Sequence, residues 1–127
     1  MRWKSCCRRE AFTLVEIMVI VALIGLLAAL LMPSFIKVRQ QSQGRRIVND
    51  ARIIDAAINT WALEAGIADG TPVDIAAAGQ YTKVGAINTV DVLGNPYLIG
   101  PVGETQVAIS TTSKSALSAV SIDWGAY

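Results

Sequence analysis

Between residues 12 and 36 nearly every position is apolar, and Glu16 is the one charged side chain in the run. As an α-helix these 25 residues extend roughly 38 Å at about 1.5 Å per residue. A bilayer core asks for about 20 such residues. Lipid leaves backbone polar groups no outside partner, and a helix satisfies its own, so the many β-branched residues are no obstacle. Past residue 36 the pattern changes. Ile47, Ala51, Ile54, Ile58, Trp61 and Ala65 recur at steps of four and three, which is one apolar stripe on an amphipathic helix. Arg46 and Asp50, four apart, and Arg52 and Asp55, three apart, stand off the stripe. Gly44 can bend this helix, and Gly66 stands where a C-terminal cap belongs. The chain is therefore expected to form one helix from near residue 12 to about residue 65. It is apolar all round in its first half and one-sided in its second.

The remainder carries turn signals and short runs. Asp69-Gly70-Thr71-Pro72 and Gly94-Asn95-Pro96 mark turns. Residues 73–78 fit a short helix closed by Gly79. Residues 97–99, 105–110 and 119–124 alternate or cluster as strands do, and residues 100–103 fit a hairpin connection. The expected fold class is α+β, with the long helix packed on a small antiparallel sheet of about three strands. Four segments follow: a leader at 1–11, a membrane-spanning helix at 12–36, its amphipathic continuation at 37–65 and a small head at 66–127.

Charge sharpens this division. The whole chain is at +1, with 17% charged and 53% hydrophobic residues. Arg2, Lys4, Arg8 and Arg9 against Glu10 put +3 on the first eleven residues; the rest holds seven basic and nine acidic side chains, or −2. A mildly acidic body is a poor start for a nucleic-acid binder, so no nucleic-acid partner is expected. The chain has no His, and both cysteines, Cys6 and Cys7, lie in the basic leader. The usual general base, His-based metal sites and an intrachain disulfide in the body are thereby excluded. Cys6 and Cys7 read as incidental leader residues, because a lipoprotein signal places its apolar stretch before the Cys.

A hydrophobic segment of this kind has other uses. A cleaved secretory signal has a shorter apolar centre followed by a small-x-small site, and no clear site of that kind follows this run. An unprocessed signal anchor also fits the run. A core helix of a soluble protein does not, since too little chain remains to cover it. Basic residues flank the run on both sides, Lys37, Arg39, Arg45 and Arg46 on the far one, so they do not set its orientation. Glu16 is the anomaly. A carboxylate inside an apolar segment costs up to a few kcal/mol, less near its end than at its middle. It either snorkels to the interface or awaits a positive charge from another chain or a newly made terminus.

The run Arg8-Arg9-Glu10-Ala11-Phe12-Thr13-Leu14-Val15-Glu16 resembles the processing site of type IV prepilins and type II secretion pseudopilins. In that family a short basic leader stays in the cytoplasm, and a membrane aspartyl peptidase cuts before the Phe and N-methylates it. An apolar helix follows, with Glu at the fifth mature position, which is Glu16 counted from Phe12. The helix-weakening Gly and Pro of the family match Gly25 and Pro33. Close helix packing and a simple kink are the plainer readings of these two residues. Ala11 stands where the family usually has Gly; it is still small, and slower cleavage is expected there. The resemblance implies processing between Ala11 and Phe12, methylation of Phe12 and a subunit-assembly role for Glu16 as partner of a neighbour's terminus. A carboxylate close by favours the protonated, charged form of an α-amino group.

The implied partners are the prepilin peptidase, copies of the chain and related pilins or pseudopilins, an inner-membrane assembly platform, and lipid before assembly. The implied location is the bacterial inner membrane, crossed once, with the N-terminus cytoplasmic and the head periplasmic or extracellular. Asp91-Val92-Leu93-Gly94-Asn95-Pro96-Tyr97 is similar to the turn before the sheet in major pseudopilins. Those proteins also carry an Asp-rich calcium loop near the C-terminus. Here only Asp123 lies in the last twenty residues, so no metal site and no cofactor is assigned. The expected function is a structural subunit of a type II secretion pseudopilus or type IV pilus. The alternative is a minor pilin acting as an anchored binding module for DNA or a surface, for which exposed aromatics among basic patches are the marker. Trp61 sits on the packing stripe, and Lys83 and Lys114 are the head's only lysines. An enzyme is not expected, since no nucleophile–base pair shows in the spacing.

Overall fold

The computed structural model describes residues 12–103 and 105–127. The expectations that fall on residues 1–11, Ala11 among them, lie outside the described residues. The chain divides into two compact units, Met1–Ile36 and Lys37–Tyr127, and helix α1, Leu14–Ala65, supplies helical residues to both.

In the first unit the described residues are all exposed. The helix assignment runs unbroken through Gly25 and Pro33. Pro33 has no N–H to give the carbonyl of Ala29, and nothing lies within 4 Å of the place a Cβ on Gly25 would take. With an 18-residue mean hydropathy of 2.9, the helix is long and apolar enough to cross a membrane.

The second unit is built on the stripe. Ile47, Val48, Ala51, Ile54, Ile58 and Ala62 of α1 are buried against Ala78, Tyr97, Val102, Val107, Ile109 and Leu117. The stripe expected from the spacing is present, shifted at its end. Trp61 is only half-buried, Ala65 is exposed and Ala62 takes the inner position. The helix stops at Gly66, whose φ of 63° suits a residue without Cβ. The N–H of Ile67 donates to the carbonyl of Ala62 at 2.9 Å, the long bond of a Schellman cap. Helix α2, Ile75–Gly79, starts on Asp74, whose carboxylate accepts from the N–H groups of Ala76 and Ala77.

Among the described residues the sheet has two strands where about three were expected. β1, Leu98–Ile99, and β2, Val107–Ala108, pair antiparallel with Leu98 opposite Ala108 and Ile99 opposite Val107. Residues 111–116, which carried no helical pattern, form helix α3, Thr111–Ala116, capped by the hydroxyl of Ser110. Residues 119–124 form no strand. Their alternation is still legible in exposure, with Val120, Ile122 and Trp124 half-buried and the residues between them exposed. The period of two reports a segment lying over the core on one side; it does not report a hydrogen-bonded neighbour. Ile122 reaches Gly44 of α1, where an added Cβ would meet Cγ1 of Ile122 at 2.9 Å. Gly44 therefore serves close approach. No bend is required of it.

Three polar ties fix the hairpin and its approach to α1. The buried Gln106 side chain donates through Nε2 to the carbonyl of Asp55 at 3.2 Å and to its Oδ1 at 2.8 Å. Gly103 N–H donates to Gln106 Oε1 at 3.3 Å. The Tyr97 hydroxyl donates to the carbonyl of Ile47 at 3.3 Å. Burial, then the carboxylates of Asp50 and Asp91, push the Tyr97 phenol up to about 12, with Arg46 acting against them. A folded-state value above the unfolded one means that the native chain holds its proton where the unfolded chain has lost it. Stability from this group is full below about pH 10 and drains as pH rises from there through about 12. In an alkaline unfolding series, Tyr97→Phe is expected to show a shallower loss over that window than the wild type. Equal slopes in the two proteins would remove Tyr97 as the cause.

Candidate processing and assembly site

The start of α1 is set by Thr13. Its hydroxyl accepts from the N–H of Glu16 at 3.3 Å, and its carbonyl accepts from Glu16 at 3.0 Å and from Ile17 at 3.3 Å. Thr13-Leu14-Val15-Glu16 is thus half of a capping box, with Thr at the cap and Glu three residues on. The cap satisfies one of the amides that a helix start leaves open. It also puts the Glu16 carboxylate in the first turn, where the helix dipole favours negative charge. This local role went unseen in the sequence, although the T-x-x-E spacing carries it.

Phe12 and Glu16 are exposed, as are the apolar side chains beyond them; Leu14 is 76% exposed and Leu31 69%. Among the described residues the one ion pair is Arg46–Asp50, so Glu16 has no counter-ion there. The structure thus places Glu16, Gly25 and Pro33 on one helix and Phe12 just before it, while Ala11 lies outside the described residues. A large apolar surface of this kind needs lipid or protein against it.

The head holds a second polar centre that the spacing did not mark as such. Asp91 is buried, at 8% exposure, and accepts through Oδ1 from the N–H groups of Leu93 at 2.8 Å and Asn95 at 2.9 Å. Its Oδ2 accepts from the hydroxyl of Ser113, whose oxygen in turn accepts from Asn95 Nδ2 at 3.1 Å. Gly94, with φ 86°, lets the chain reverse inside this ring of donors. A turn was expected at Gly94-Asn95-Pro96. The carboxylate at its centre, tied to α3, is what that expectation lacked.

Residues 6–32 match the family described as the prokaryotic N-terminal methylation motif. This match spans the second half of the basic leader, Phe12, the capped first turn and most of the apolar run. The type II secretion system core protein G of Klebsiella pneumoniae is 30% identical over 57 residues, covering 45% of this chain and 41% of that protein. The type IV major fimbrial protein FimA of Dichelobacter nodosus is 36% identical over 61 residues, covering 48% of this chain and 38% of that protein. The chain carries a prokaryotic N-terminal methylation motif and is similar over part of its length to a type IV fimbrial protein and a type II secretion core protein.

The chain spans about two fifths of the length of the relatives it matches. Its α+β fold, an apolar N-terminal helix with a small antiparallel sheet, is of the expected class. No solved structure matches it. Among the described residues, no group of three or more His, Cys, Asp or Glu side chains is placed to hold a metal ion.

Proposed function

We propose that the protein is a filament subunit of a type II secretion pseudopilus or a type IV pilus, trimmed between Ala11 and Phe12 by a prepilin peptidase and N-methylated at Phe12. Before assembly it crosses the inner membrane once, leader in the cytoplasm and head on the far side, with lipid around residues 12–36. An assembly platform then draws it into a filament of copies and related subunits. The observation that carries this reading is the carboxylate of Glu16. It stands in the capped first turn of an exposed apolar helix, four residues after Phe12, without a counter-ion among the described residues. Cutting before Phe12 makes an α-amino group that can be that counter-ion in a neighbouring copy. An unpaired buried charge is costly, so a subunit entering out of register is rejected.

The N-terminal mass of the protein purified from cells tests this reading. It is expected to begin at methylated Phe12. Ala11→Leu puts a bulky group at the cut and is expected to leave the leader attached, whereas Ala11→Gly is trimmed at least as fast as the wild type. Normal trimming of Ala11→Leu would refute the assigned site.

A further inference from the structure

Charge in the 37–127 unit is segregated. Lys37, Arg39, Arg45, Arg46 and Arg52 lie within the first sixteen residues of the unit, against a single acid, Asp50. Asp50 is engaged with Arg46 at 4.0 Å. From residue 64 to residue 74 the charges are Glu64, Asp69 and Asp74, all exposed, with no basic residue between them. Asp74 caps α2, and Glu64 stands close enough to the Tyr81 phenol to push its pKa up. Asp69 has neither a hydrogen-bond nor an ion-pair partner among the described residues.

The basic stretch also has shape. A groove of about 460 Å³ runs beside α1, lined by Gln41, Arg45, Asn49 and Arg52 on the helix and by Ser121 and Asp123 opposite. Steps of four, four and three put the helix residues on one face. The groove is thus rich in donors, with two exposed guanidinium groups that suit a carboxylate.

We propose that this groove takes the acidic end of a second copy's head, with Arg45 and Arg52 facing Asp69. The inference rests on the filament reading above and adds a contact between heads to it. Two different surfaces of one chain that complement each other make a heterologous contact. Repetition of such a contact gives an open helix of subunits when the rotation does not close. For copies with parallel helices, residues 45–52 and 64–69 are separated by roughly 25 Å of axial rise at about 1.5 Å per residue. Pairing of Glu16 with a neighbour's Phe12 shifts copies by only about 6 Å on the same scale. The two contacts therefore join different pairs of neighbours. Exposed ion pairs contribute little energy; here they set orientation and register.

The test uses the full chain in filament-forming cells. Arg45→Glu with Arg52→Glu, or Glu64→Lys with Asp69→Lys, is expected to lower filament yield about tenfold while N-terminal trimming stays normal. All four changes together restore opposite charge across the contact and are expected to recover at least half of the yield. Wild-type yield from both one-sided variants, or no recovery in the combined one, overturns the proposal.

Cross-linking covers the case of a variant that misfolds. The chain has no Cys beyond residue 7, so Arg45→Cys with Asp69→Cys introduces the only thiols of a trimmed subunit. The twenty residues of α1 from 45 to 65 rise roughly 30 Å, and four more residues return at most about 14 Å. The two positions therefore cannot bridge within one chain. A ladder of oxidised multimers in filaments, absent from either single variant, is expected; monomers alone would refute the contact. A wild-type chain trimmed at Phe12 that never forms filaments overturns both this contact and the proposed function. Filaments indifferent to the charge reversals overturn the contact alone.

Discussion

Glu16→Ala is expected to leave the protein in the membrane fraction, trimmed at Phe12, and to abolish visible filaments. The apolar run that inserts is unchanged, and removing a charge from it lowers the cost of insertion. Assembly is another matter. Each added subunit would bury an α-amino group with no carboxylate opposite, and breaking a buried pair in this way costs about 3–5 kcal/mol. At about 1.4 kcal/mol per factor of ten, this is roughly 10²–10⁴-fold in the equilibrium for each addition. Glu16 also sits in a capped first turn, so the local role needs its own control. Thr13→Ala removes the cap, at about 0.5–2 kcal/mol of helix stability, and keeps the carboxylate. Filaments should therefore survive in Thr13→Ala and fail in Glu16→Ala, as counted by electron microscopy and by sheared protein. Abundant filaments from Glu16→Ala would refute intersubunit pairing. Loss in both variants to the same degree would point to the cap instead.

The second large effect is expected in the head. Asp91→Ala removes the acceptor of two backbone N–H groups and of the Ser113 hydroxyl at once, in a site only 8% exposed. Each buried donor left without a partner costs about 1–3 kcal/mol. Some of that is recovered as water enters, and a net loss of about 3 kcal/mol is expected, which is large against the stability of a small domain. Denaturation of the detergent-solubilised protein, followed through Trp61 and Trp124, would measure it as a lowered midpoint. Asp91→Asn keeps a carbonyl oxygen for the amides of Leu93 and Asn95, and its amide can donate to the Ser113 oxygen. Its loss should be less than half as large. Equal losses in the two variants would mean that charge, and not acceptor count, is what the turn requires.

These two residues differ in how readily the sequence gives them away. Glu16 is conspicuous because one charge in a run of apolar residues is improbable without a use, and that signal is local. Asp91 is one acid among ordinary polar loop residues. Its partners Leu93 and Asn95 are near neighbours, yet the Ser113 contact that ties the turn to α3 crosses twenty-two positions. No local spacing encodes that approach. Gln106 is similar: its fully buried amide finds Asp55 across fifty-one residues.

Gly44 and residues 119–124 show a different failure of local reading. A glycine in a helix suggests a weak point, and only the arrival of Ile122 reveals a closely packed crossing. The alternation at 119–124 faithfully gives which side chains turn inward. It cannot say whether the backbone beside them has a strand to pair with.

By itself the chain determined its apolar N-terminal helix with Glu16 as its isolated charge, the stripe at 47–58 and the cap at Gly66, because helical period and capping act within a few residues. Tertiary structure alone decided that the sheet among the described residues stops at two strands, that Gly44 receives Ile122 and that Asp91 and Gln106 are buried with full sets of partners. Those outcomes depend on which distant segments meet, and that is settled by the shared burial of the core and not by any one stretch of sequence.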